Sequence, residues 1–186
     1  MKKFITGISI TLAMLIPLSG SSQQAFISLG AELAFPAGNY QEVGNSGIGV
    51  SVRMEHPWSN HVSGIMSVEY IRYENNEFFQ NYNEQFSVLP IQFGVKYYTA
   101  GKAVNPGGFY FSGELGFAGE FYHVDIKWNN SNGTDTHDET YVGFCNTMGL
   151  GYQWRIIDAG FRFQTLFSTN SGITSYYNFR LAFTIR

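Results

Sequence analysis

Leu89, Ile91, Phe93, Val95 and Tyr97 alternate with Pro90, Gln92, Gly94 and Lys96. A period of two puts the first set on one face of a strand and the second on the other. The same alternation recurs along the chain and predicts eight strands: Phe26–Phe35, Gly47–Glu55, His61–Tyr73, Phe86–Thr99, Phe109–Tyr122, Tyr141–Trp154, Ile157–Phe167 and Tyr176–Arg186. In the fifth, Phe109, Phe111, Leu115, Phe117 and Phe121 oppose Ser112, Glu114, Gly116, Ala118 and Glu120. Strands with one face aromatic and aliphatic and the other small, polar or charged suit a barrel whose apolar face meets lipid. The expected fold is therefore all-β: an eight-stranded antiparallel up-and-down transmembrane β-barrel.

The segments between strands alternate in length. Pro36–Ser46, Glu74–Gln85 and Val124–Thr140 are long and polar, whereas His56–Asn60 and Arg155–Ile156 are short. Bacterial outer-membrane barrels have short periplasmic turns and longer outer loops, with an even strand number. A periplasmic N-terminus places all three long segments outside. Phe35, Tyr70, Phe121, Phe167 and Tyr177 then fall at the outer ends of strands, and Tyr97, Phe109, Tyr152 and Trp154 at the inner ends. These are the positions of two aromatic girdles.

Composition fits this picture. Only 13% of the 186 residues are charged, against about 25% in soluble domains, while 17% are aromatic. Lys2 and Lys3, the apolar run Phe4–Leu18 and the small polar stretch Ser19–Ala25 read as a secretory leader. The expected division is residues 1–22 as signal peptide and 23–186 as barrel, with cleavage after Ala25 as the alternative. Loss of Lys2 and Lys3 leaves nine basic against 14 acidic side chains. That balance argues against nucleic acid as a partner. Cys145 is the single cysteine, so no intrachain disulfide forms. It is expected inside as a small filler.

Eight strands leave an interior that side chains can fill. The inward parity carries Glu32, Glu55, Glu69, Glu114 and Glu120 against Arg53, Lys96, Arg162 and Arg180. Charges confined there are expected to pair. An ion-pair plug is favoured over a selectivity filter or proton path, with Lys96, Glu114, Arg162 and Arg180 at its core. Pro90 lacks an N–H and should break a ladder bond near the outer rim, as a bulge or rim feature. No cofactor is expected, and the four histidines lack metal-ligand spacing. His123 with Asp125 is the best base–orienter pair for a lipid A-modifying hydrolase or acyltransferase, but no serine joins them. The enzyme reading is the lesser one. The acidic loop Asp125–Thr140 does not follow the EF-hand register. Trp128 within it is the candidate surface contact.

Ser87–Tyr98, Leu29–Tyr40, Gly113–Gly116 and Asn178–Phe183 resemble strands of small outer-membrane barrels common in Bacteroidetes, the "porin family" or OmpX/OmpA-like proteins. The resemblance spans the mature chain and implies an eight-stranded barrel, with no single activity. Such barrels commonly end on an aromatic residue; this chain ends Phe183-Thr-Ile-Arg186. The expected location is the bacterial outer membrane. Expected partners are outer-membrane lipid and lipopolysaccharide and the barrel-assembly machinery, and a monomer is expected. The expected role is structural or one of surface interaction. A narrow solute channel is the alternative, and a soluble lipocalin-like barrel would require the two faces to be exchanged.

Overall fold

The computed structural model describes residues 25–37, 44–75, 82–100, 103, 107–127, 134–168 and 172–185. The leader region and Trp128 lie outside the described residues. Eight strands run in chain order: β1 (Phe26–Ala37), β2 (Gly44–Pro57), β3 (Val62–Asn75), β4 (Tyr82–Tyr98), β5 (Gly108–Lys127), β6 (Thr134–Trp154), β7 (Ile157–Ser168) and β8 (Gly172–Ile185). Each pairs antiparallel with its sequence neighbour, and β8 returns to β1, closing the barrel. The eight-stranded up-and-down architecture is the one that the alternation predicts.

The closure is staggered. From Ile27 the ladder passes through Met54, Met66, Phe93, Leu115, Asn146, Thr165 and Ser175 and returns to β1 at Ala37 instead of Ile27, a shift of ten residues. Closing a sheet into a tilted barrel requires such a shear. It also lets inward residues far apart in register meet across the lumen.

Which face points inward is decided on β5. Leu115 and Phe117 are 58% and 65% exposed, while Glu114 is 1% exposed. The apolar parity covers the outside of every strand, and the polar parity lies inside. A water-soluble, lipocalin-like barrel has the opposite arrangement, so that reading falls. The girdle aromatics all sit on the outer surface.

Two local expectations need correction. The segment Val124–Thr140 is largely strand: β5 runs to Lys127 and β6 starts at Thr134, paired without interruption. On β6 the run Thr134–Thr140 is polar at every position and hides the strand, whereas Val124-Asp125-Ile126-Lys127 on β5 keeps the alternation. The β6–β7 ladder ends at Phe144 and Phe167, so the β5–β6 hairpin rises above its β7 neighbour. Pro90 does interrupt the β3–β4 ladder, between Val68–Ile91 and Ile71–Val88, but the register is the same on both sides. The missing N–H removes bonds without inserting a residue, so there is no bulge. At the other end, β6 and β7 are joined by Arg155 and Ile156, with Arg155 in the left-handed region at φ 55°. Below, the two ends are called the short-turn end and the hairpin end.

Candidate functional site: the filled lumen

Side chains of the inward parity stack in three layers. Nearest the short turns, Lys96 on β4 points its Nζ at three acceptors: Gln153 Oε1 at 2.9 Å, Glu55 Oε2 at 3.1 Å and Asp158 Oδ2 at 3.3 Å. The same ammonium lies 3.9 Å from the centre of the Tyr110 ring, a cation–π distance. The Tyr98 hydroxyl lies 2.8 Å from Glu55 Oε1 and 2.7 Å from Gln153 Oε1, either of which can accept its one proton, and Tyr110 donates to Asp158 Oδ1 at 2.6 Å. Gly151 and Gly160 give Tyr110 its room: a Cβ at either would collide with its phenol.

The middle layer is built on arginines. Arg53 Nη2 reaches Glu114 Oε1 at 3.0 Å, and Ser67 donates to the other Glu114 oxygen at 2.6 Å. Arg162 joins two carboxylates, Glu32 Oε2 at 2.7 Å and Glu69 Oε1. Arg180 lies 3.4 Å from Glu32 Oε1 and 3.3 Å from Asp158 Oδ2, and donates to Ser51 and Ser28. Gln92 and Thr147 bond to each other across the lumen. These charges are buried, so their pairing offsets a large desolvation cost.

Toward the hairpin end the lumen turns apolar. Ala34, Ile71, Tyr73, Phe86, Val88, Ala118, Cys145, Leu166 and Tyr176 form one buried cluster. A run of rings crosses it: Tyr176 to Tyr73 at 5.8 Å, Tyr73 to Phe86 at 5.3 Å, Phe86 to Tyr122 at 4.7 Å and Tyr122 to Tyr141 at 5.7 Å. Tyr73 lies over Gly47, where a Cβ would come within 2.8 Å of its ring. The small residues on β1 and β2 thus let Tyr73 reach across to β8.

The predicted interior residues are all buried. Glu32, Arg53, Glu69, Glu114, Arg162 and Arg180 meet in the middle layer. Lys96 does not belong with them, contrary to the expected core. It is two residues from the end of β4 and works with Glu55 at the short-turn end. Glu120 lies higher, paired in the ladder with Val88 and Tyr141 at the level of the apolar cluster. Sequence reasoning missed Asp158, which lies within 4.0 Å of Lys96, Arg180 and Arg53. It lies inside the expected strand Ile157–Phe167, and its parity with Gly160 and Arg162 marks it as inward. Cys145 is buried in the apolar cluster.

The rim has its own bonds. His123 Nδ1 contacts Asp138 Oδ1 at 2.6 Å across the β5–β6 hairpin, while the Asp125 side chain of the expected pair lies outside the described residues. Tyr141 donates to Glu139, and His137 Nε2 lies 2.9 Å from the same carboxylate. These two contacts hold the Glu139 carboxyl below its ordinary range. Among the described residues no group of His, Cys, Asp and Glu has metal-site geometry.

No family model matches the chain, and no curated protein matches its sequence. Solved structures do share its fold. Ail, the attachment invasion locus protein of Yersinia pestis, is 11% identical over 87% of this chain and 97% of its own, with a TM-score of 0.64. A major outer membrane protein from Thermus thermophilus is 10% identical over 87% of this chain and 100% of its own, with a TM-score of 0.58. For the N-terminal β-barrel domain of Pseudomonas aeruginosa OprF the identity is 12%, the coverage 87% and 100%, and the TM-score 0.56. At such identities the likeness is one of fold, and the fold is that of small outer-membrane barrels.

Proposed function

We propose that this chain is an integral outer-membrane β-barrel with a closed lumen, acting as a structural or surface-interaction protein and not as a pore or an enzyme. The observation that carries the reading is the pairing of an apolar outer surface with a lumen filled at three levels. An exposed belt of Phe, Leu, Ile and Val suits hydrocarbon and would aggregate in water. The fold neighbours support the same location. The short-turn end then faces the periplasm and the β5–β6 hairpin stands outside. Residues 1–22 serve as the exported leader, outer-membrane lipid and lipopolysaccharide surround the barrel, the assembly machinery inserts it, and it acts as a monomer.

The raised hairpin is the surface offered to a partner, with Trp128 as a contact. Ail has been solved with the heparin analogue sucrose octasulfate. The described rim here carries Asp138 and Glu139, whose charge repels such a polyanion. A heparin-like ligand is therefore not part of this reading.

The test is reconstitution into planar bilayers. The closed barrel gives no sustained conductance; a stable, ion-selective step overturns the closed lumen and favours a narrow channel. Cell fractionation tests location separately: extraction without detergent overturns the membrane reading. Lipid A mass spectra that change on expression would restore the enzyme.

A further inference from the structure

The apolar cluster does not cover the lumen evenly. On the β3–β5 side Ile71, Phe86, Val88 and Ala118 carry no side-chain polar atom, and Tyr73 and Glu120 are the polar groups at that level. On the β7–β8 hairpin the inward positions at the same levels are mostly polar. Gln164 Nε2, Ser168 Oγ, Thr174 Oγ1, Tyr176 OH and Asn178 Oδ1 are all buried there without a protein partner. They form one wall: Gln164 is laddered to Tyr176 and Arg162 to Asn178, while Ser168 faces Gly172 at the outer end. Across from them, Glu69 Oε2 and Tyr73 OH are unpartnered too, and the Tyr73 and Tyr176 rings lie 5.8 Å apart.

Buried polar atoms are matched by protein or by ordered water. Asn178 Nδ2 donates to Gln164 Oε1 at 3.1 Å, which leaves one donor, Gln164 Nε2, beside one acceptor, Asn178 Oδ1. A single water can accept from the first and donate to the second. The hydroxyls of Tyr176, Thr174 and Ser168 continue the series toward the hairpin end. We propose that the inner wall of the β7–β8 hairpin is a hydration site: a seam of ordered water running from Ser168, past the Tyr73–Tyr176 ring bridge, to the Arg162–Glu69 pair. The guest is water, held by amide and hydroxyl groups, and the seam gives the middle layer contact with outside water while the rings block larger solutes. The inference rests on the closed-lumen reading and adds a wet side to it.

The lumen contains its own controls. Gln92 is bonded both ways to Thr147, and Gln153 is bonded to Lys96, Tyr98 and Thr184. Exchange of side-chain amide hydrogens with water, followed by NMR on the refolded full barrel in lipid nanodiscs, compares the three. The Gln164 carboxamide should exchange at least about tenfold faster than those of Gln92 and Gln153. In a Ser168→Ala/Thr174→Val variant with an unchanged backbone amide spectrum, its rate should fall several-fold while Gln92 stays as it was. Equal, slow exchange of all three overturns the seam and leaves the closed barrel standing. Equal, fast exchange overturns both. An unchanged Gln164 rate in the variant removes the hairpin end as the point of entry and overturns the proposed path.

Discussion

The middle layer and the hairpin-end layer fill the same lumen from the same parity of the same strands, yet they close it by different physics. In the middle layer Arg53, Arg162 and Arg180 stabilise only in company, because each buried charge depends on its partner. In the apolar layer Ile71, Val88, Leu166 and the rings contribute through area and close packing, which need no particular counterpart. The first kind of closure fixes which residues must face each other, and so the register of the staggered strands. The second kind fills the lumen without fixing which residues meet.

The largest predicted effect separates the two layers by rescue. Arg53→Met should leave Glu114 buried and uncompensated and cost about 3–5 kcal/mol, read from urea unfolding of the barrel refolded in lipid vesicles. Replacing both partners, as Arg53→Met with Glu114→Leu, should recover at least half of that loss. Were the double variant as unstable as the single one, the pair would not behave as a desolvated ion pair and the contrast would collapse. In the apolar layer Leu166→Ala should cost about 2–5 kcal/mol through the cavity that it leaves. Leu166 and Arg53 share no hydrogen-bond or ring partner, so combining Leu166→Ala with Arg53→Met should give the sum of the two losses to within about 0.5 kcal/mol. A clear departure from additivity would mean that the layers are mechanically one.

The two layers were also unequally legible in the sequence. Strand parity assigns Glu32, Glu69, Glu114, Arg162 and Arg180 to the interior, because a charge amid alternating aromatics has only one side to occupy. Parity holds for Asp158 as well: it lies inside the expected strand Ile157–Phe167, on the same side as Gly160 and Arg162. The apolar layer was not legible. Ile71, Val88, Leu166 and Tyr176 carry the inward parity, yet as apolar residues they do not announce which side they are on. Their grouping depends on the ten-residue stagger, which brings β3 and β8 to the same height. The length of β6 was hidden for a related reason: Thr134–Thr140 is polar at both parities, so the alternation that marks a strand disappears.

Tyrosine provides the finest comparison, because the same atom can be removed from each level. Tyr110 donates to the Asp158 carboxylate at 2.6 Å, whereas the Tyr73 hydroxyl has no protein acceptor. A hydrogen bond to a buried charged group contributes about 1.5–3 kcal/mol, so Tyr110→Phe should cost an amount in that range in the same unfolding measurement. Tyr73→Phe keeps the ring that spans to Phe86 and Tyr176 and loses only a hydroxyl without a protein partner. Its expected change is within about 0.5 kcal/mol in either direction. Equal losses at the two positions would show that the Tyr73 hydroxyl is bound as firmly as that of Tyr110. The hairpin-end layer would then draw on hydrogen bonding as the ion-pair region does, and its stability could no longer be assigned to packing alone.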